Sequence, residues 1–137
     1  MKEALQVMEV LPLVIRFIRG TVKAEGKEGV TFPHFRIMTC IEKASPSNAD
    51  LAEILGVSVA AMSRMLDGLV RRGILLRSHS TRDRRQLKLE LTPAGKRAYR
   101  RTARKIQFEL QKKIEMLDSG QRGQLRSGMS TLKELFK

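Results

Sequence analysis

Apolar positions along the chain recur at steps of three and four residues, except in one short stretch where they alternate. Met8, Leu11, Ile15, Ile18 and Val22 trace one stripe of an N-terminal helix. Pro12 interrupts that stripe early and is expected either to kink the helix or to mark an irregular start. Gly26 and Gly29 end it. A second helix is predicted from about Thr31, with Pro33 in its first turn, where a missing N–H costs nothing. Phe35, Ile37, Met38, Ile41 and Ala44 supply its buried side. Ser45-Pro46 closes it, because a residue before proline is pushed out of the helical region.

Ser47-Asn48-Ala49-Asp50 resembles a capping box and opens a short third helix, with Leu51, Ile54 and Leu55 facing inward and Gly56 as its stop. Ser58 caps a fourth, from Val59 to about Arg72, whose apolar face is Met62, Met65, Leu66, Leu69 and Val70. Gly73 ends it. The period then changes. Ile74 to His79 is apolar-rich, and Gln86 to Leu91 alternates strictly, which reads as two strands. Between them, Ser80-Thr81-Arg82-Asp83-Arg84-Arg85 is a polar, basic tip. Thr92-Pro93 starts a long fifth helix with the stripe Tyr99, Ala103, Ile106, Leu110, Ile114 and Leu117. Asp118-Ser119-Gly120-Gln121 breaks it and caps a sixth, apolar at Leu125, Met129, Leu132, Leu135 and Phe136. The fold class is therefore mostly α with one small β hairpin.

Composition adds a location to this outline. The chain has 137 residues, 42% of them apolar, which is enough for a core and the size of one domain plus accessory helices. It carries 27 Lys and Arg against 14 Asp and Glu, a net +13. Residues 1–63 balance to zero, whereas residues 64–105 hold 14 basic and 3 acidic side chains. Charge concentrated in this way points to a polyanionic partner, because cations that neutralise phosphates release condensed counterions. A merely solvated Arg-rich surface is the alternative.

Leu51–Val70 has the spacing of a helix-turn-helix. Ala52 is small where the helices cross, Gly56 supplies the turn, and Leu55, Val57 and Met62 fill the angle between the helices. In that motif the second helix lies in the major groove and points its N-terminal residues at base edges. An ordinary helical hairpin has the same outline, but the strands and basic loop that follow turn it into a winged helix.

At this point the sequence resembles the MarR family of bacterial transcriptional regulators. The resemblance rests on Ala52-Glu53-Ile54-Leu55-Gly56-Val57-Ser58, on Ser63-Arg64 with Leu66 and Leu69, and on Arg71-Arg72-Gly73-Ile74. It rests also on Asp83-Arg84-Arg85 running into Leu89-Glu90-Leu91-Thr92-Pro93-Ala94-Gly95, which matches the family's wing signature and is specific in combination with the upstream helix-turn-helix. The resemblance implies a winged helix-turn-helix lobe over residues 31–91. An N-terminal dimerisation helix over 1–30 and C-terminal dimerisation helices over 92–137 would flank it. It implies a homodimer on a pseudo-palindromic double-stranded DNA operator, acting as a repressor. A small-molecule effector would bind between the dimer helices and the lobes, although no residue identifies that ligand. In the family the wing Arg enters the minor groove and the Asp two residues earlier orients it; the matching positions are Arg85 and Asp83. Asp83 can also be read as a simple turn former.

The candidate DNA-binding set is Ser47, Ser58, Val59, Ala60, Ala61, Ser63, Arg64, Arg77, Arg82, Asp83, Arg84 and Arg85. Arg64 could reach guanine or a phosphate. Val59-Ala60-Ala61 offers few hydrogen-bonding groups; small apolar groups can contact thymine methyls, and indirect readout of duplex shape is expected to carry more of the specificity. A non-specific architectural or RNA-binding role would use the same charge. Single-strand binders stack bases on aromatics, however, and Tyr99 is the only aromatic between residues 64 and 105.

Other chemistry finds no residues to carry it. Cys40, the single cysteine, sits among apolar neighbours and reads as inert packing rather than a redox sensor. His34 and His79 lack partners at ligand spacing, so no metal site is expected. No phosphate loop, nucleophile elbow or carboxylate pair is present, so neither enzymatic activity nor a cofactor is expected. No apolar run approaches the ~20 residues of a membrane span, and charges throughout Met1–Gly20 disfavour a signal peptide. A cytoplasmic protein with no membrane partner is the expectation.

Overall fold

In the computed structural model, residues 1–26, 29–79 and 87–137 are described. Their elements in order are α1 (Lys2–Glu25), α2 (Phe32–Lys43), α3 (Asn48–Leu55), α4 (Val59–Arg71), β1 (Leu75–His79), β2 (Leu87–Leu91), α5 (Pro93–Ile114) and α6 (Ser119–Leu135). Helix starts follow short polar signals. Ser47, Ser58, Thr92 and Asp118 each accept the backbone N–H three residues on, at 3.1, 3.0, 2.9 and 2.8 Å. Each such cap stabilises by about 1 kcal/mol. At Thr31 the box is closed by a histidine: Thr31 Oγ1 accepts from His34 N, and Thr31 N donates to His34 Nδ1, both at 3.3 Å.

The core gathers Ile37, Met38 and Ile41 of α2, Leu51 and Ala52 of α3, and Met62, Leu66 and Leu69 of α4. Ile74 and the strand residues Leu75, Leu89 and Leu91 close it, and Ala98 of α5 reaches into it from outside. Phe35 and Tyr99 stack with ring centroids 5.4 Å apart, joining α2 to α5. The strands pair antiparallel in the register Leu75 to Leu91, Arg77 to Leu89 and His79 to Leu87. The alternation seen in the sequence thus puts Leu75, Leu89 and Leu91 inward and Leu76 and Lys88 outward.

Thr92 locks the hairpin root to the long helix. Its hydroxyl accepts Gly95 N–H as the α5 cap while donating to the Gly73 carbonyl, and Thr92 N donates to Ile74 O at 3.0 Å. This brings the first turn of α5 against Ile74 so closely that only glycine fits at position 95.

Several expectations need correcting. Pro12 lies inside one continuous helix, α1, rather than at an irregular start. Ala44 is the exposed C-cap of α2 and contributes nothing to its buried side. Ile54 is 50% exposed, because the two-turn α3 presents only Leu51 and Ala52 fully to the core. Along α1 the stripe is real, but only Val22 is fully buried; Met8 is 70% exposed, with Leu11 and Ile15 also open. Among the described residues, none of α6 is buried.

Candidate nucleic-acid interface

The site is built on the angle between α3 and α4. Gly56 adopts φ +69° and ψ +36°, the left-handed conformation that lets α3 stop and the chain turn within two residues. The turn is held by Gly56 N donating to Glu53 O at 3.1 Å and Val57 N donating to Ala52 O at 3.0 Å. Arg36 of α2 donates to Ile54 O at 3.2 Å, satisfying one of the carbonyls that a helix end leaves over. Ala52 and Met62 are buried in the crossing and Leu55 is half-buried. Val57, expected to be buried there too, is 36% exposed.

This geometry presents the start of α4 to solvent. Val59 is 54% exposed; Ser58, Ala60 and Arg64 are also exposed, and Ala61 and Ser63 are half-buried. Asn48, in the first turn of α3, donates through Nδ2 to Ser63 Oγ at 2.6 Å. Its own Oδ1 is buried without a hydrogen-bond partner among the described residues. Ser47 stands next to this contact. Its backbone N–H donates to Asp50 Oδ2 at 3.0 Å, and the hydrogen bonds from Ser47 hold the Asp50 carboxyl below its ordinary range. The start of α3 and the start of α4 are thereby tied into one surface.

The hairpin contributes Arg77. Because side chains alternate along a strand, Arg77 shares the face of Leu75 and leans toward α4. There it meets Asp67 in a salt bridge at 2.8 Å. Its first partner is thus a carboxylate of the same chain. On the outer face, Lys88 pairs with Glu90 at 2.8 Å, and this hydrogen-bonded contact lowers the Glu90 carboxyl. Arg82, Asp83, Arg84 and Arg85 lie outside the described residues.

The structure therefore brings together Ser47, Ser58, Val59, Ala60, Ala61, Ser63 and Arg64 on one surface and places Arg77 behind α4. Two residues that sequence reading passed over shape it: Asn48, which holds Ser63, and Asp67, which holds Arg77. Asp67 sits three residues after Arg64 on α4, but its partner becomes visible only once the strand register is known. Cys40 is half-buried against the core. Among the described residues, no group of His, Cys, Asp and Glu is arranged to hold a metal, and no helix is long and apolar enough to cross a membrane.

Comparison with known proteins bears on this geometry. The model of the MarR family matches residues 30–87, which spans α2 through the start of β2. The Bacillus subtilis HTH-type transcriptional regulator YfiV is 27% identical over 114 residues, covering 82% of this chain and 71% of that protein. The HTH-type transcriptional repressor MdtR of the same organism is 30% identical over 101 residues. That match covers 69% of this chain and 65%, slightly under two thirds, of MdtR. The fold of wild-type apo MarR from E. coli superposes with a TM-score of 0.78 at 20% identity, covering 94% of this chain and 95% of that one. With the turn at Gly56, the exposed start of α4 and the hairpin in place, residues 30–87 carry the winged helix-turn-helix that the MarR family model describes.

Proposed function

We propose that the protein is a homodimeric repressor that binds a pseudo-palindromic operator in double-stranded DNA, in the cytoplasm, where the chromosome lies. The observation that carries this reading is the exposed N-terminal face of α4, set by the Gly56 turn, immediately before the stretch where positive charge is concentrated. Ser58, Val59, Ala60, Ala61, Ser63 and Arg64 would enter the major groove, with Ser47 at the adjoining backbone. Arg85, oriented by Asp83 and flanked by Arg82 and Arg84, would enter the minor groove, whose negative potential attracts a guanidinium. Duplex rather than single-strand binding is supported by Tyr99. It is the one aromatic of the basic stretch, and it is stacked on Phe35 rather than open to a base.

Dimerisation is supported by the apolar side chains that the protomer leaves open on α1 and α6, among them Leu5, Met8, Met129 and Leu135. Exposed large apolar side chains gathered in this way mark interaction surfaces, and a twofold pair would set two α4 helices ~34–36 Å apart, one turn of B-DNA. An effector site is supported by a pocket of ≈ 460 Å³ where α1 meets α2, between the proposed dimer helix and the lobe. Arg19 and Lys23 border it beside Val30, Phe32 and Pro33, a lining suited to a small organic acid.

Selection of bound duplexes from a random library tests the reading. A palindromic consensus with half-sites one turn apart is expected; recovery of duplexes with no common sequence would refute it.

A further inference from the structure

The basic stretch holds more cations than the proposed groove contacts use. Lys96, Arg97, Arg100 and Arg104 are exposed on α5. Among the described residues, Arg97, Arg100 and Arg104 have neither an ion pair nor a hydrogen bond. Their neighbours on the helix are engaged, Arg101 with Glu25 at 3.2 Å and Lys105 with Glu109 at 3.1 Å. Steps of three and four residues set Arg97, Arg100 and Arg104 on one line. That line is opposite the buried Gly95, Ala98, Thr102 and Ile106. At 1.5 Å per residue it is about 10 Å long.

The order of packing places this line. α4 packs on β1, β1 pairs with β2, and β2 packs on α5, so the hairpin has α4 on one side and the start of α5 on the other. Glu90, on the outer face of β2, is held low by Lys88 and then by the charge of Lys96, so the outer face of the hairpin runs on into the basic face of α5. Two α4 helices one turn apart leave a single minor groove between them, which twofold-related wings cannot share without crowding; the wings therefore fall outside, and α5 beyond them. We infer that Arg97, Arg100 and Arg104 form a second, sequence-independent DNA surface, which holds backbone phosphates flanking the operator on the far side of the groove that the wing enters. Guanidinium forks match phosphate oxygens in shape and charge, and such contacts position a duplex without reading it. A lipid surface is the poorer match, because no described residue between Pro93 and Arg104 exposes a large apolar side chain to enter it. The inference rests on the proposed seating of α4 in the major groove and the wing in the minor groove.

The test compares the parent chain with Arg97→Gln/Arg100→Gln/Arg104→Gln on the duplex recovered from the random library, set within unrelated flanking DNA. Glutamine is a good helix former, so helicity and melting temperature should not change. Hydroxyl-radical footprinting of the parent should show protected backbone outside the consensus. The variant should lose that protection alone, and the slope of log affinity against log salt should fall by about 0.9 for each arginine that held a phosphate. Arg97→Lys/Arg100→Lys/Arg104→Lys, which keeps the charge, should retain the flanking protection. On a duplex cut back to the consensus, parent and glutamine variant should show equal slopes. Identical footprints and slopes on the flanked duplex overturn the inference and leave operator binding standing. Loss of protection across the whole operator by a folded glutamine variant overturns it too. So does binding to phosphatidylglycerol vesicles that the glutamine variant loses while its footprint stays that of the parent. A parent that protects no defined segment sinks the operator reading itself, and this inference with it.

Discussion

A Cβ on Gly95 would lie 2.1 Å from the carbonyl oxygen of Ile74. No side-chain rotation relieves that contact, because both atoms belong to, or are fixed by, the backbone. Gly95→Ala forces α5 away from the hairpin root and strains the bond from Thr92 N to Ile74 O. A loss of about 1–3 kcal/mol in unfolding free energy is expected, read from urea denaturation. A variant as stable as the parent would show that α5 does not approach β1 in this way.

Arg85→Ala tests the wing. Removal of one groove-inserted guanidinium is expected to weaken operator binding by about tenfold or more without moving the melting temperature. Parent binding should also fall steeply with added salt. Unchanged affinity of the variant at physiological salt counts against minor-groove insertion.

Met129→Asp tests the dimer. Met129 is 53% exposed in the protomer, so a charge there costs the single chain little. Light scattering should report the mass of a dimer for the parent and of a monomer for the variant, with equal helicity by circular dichroism. A parent protein that is monomeric from the outset would refute the assembly.

His34 makes stability depend on pH. Its burial, and after it the charge of Arg72, hold the imidazole below its ordinary pKa of 6.5, although a hydrogen bond with the Gly29 backbone opposes them. The unfolded chain therefore binds the proton more readily than the folded one. Stability is retained above 6.5 and falls as pH drops from there through the lowered folded value. Protonation also removes the Nδ1 acceptor for Thr31 N. His34→Gln keeps an acceptor but no titration, so its melting temperature should vary less across this window than that of the parent. Parallel curves would rule out His34 as the source.

The boundaries of the helices were legible because their signals are local. Ser47, Ser58, Thr92 and Asp118 each act on an amide three residues away, and Gly56 acts on its own backbone. Burial was less legible. α3 has eight residues, too few turns for periodicity to separate Leu51 from Ile54. On α1 the periodicity was correct, but Met8, Leu11 and Ile15 of the stripe stay exposed in the protomer while Val22 is buried. The pairs that shape the interface were hidden altogether. Asn48 and Ser63 are 15 residues apart, Asp67 and Arg77 are 10, and each pair meets only through the crossing of two elements.

Thr92 also has a mechanical consequence. One hydroxyl both begins α5 and grips the carbonyl of Gly73, so the joint between hairpin and stem has no slack of its own. The 22 residues of α5 form a rod about 33 Å long. A tilt of about 5° is a travel of about 3 Å over that length. Such a lever carries a small adjustment at one end into a displacement the width of a hydrogen bond at the other.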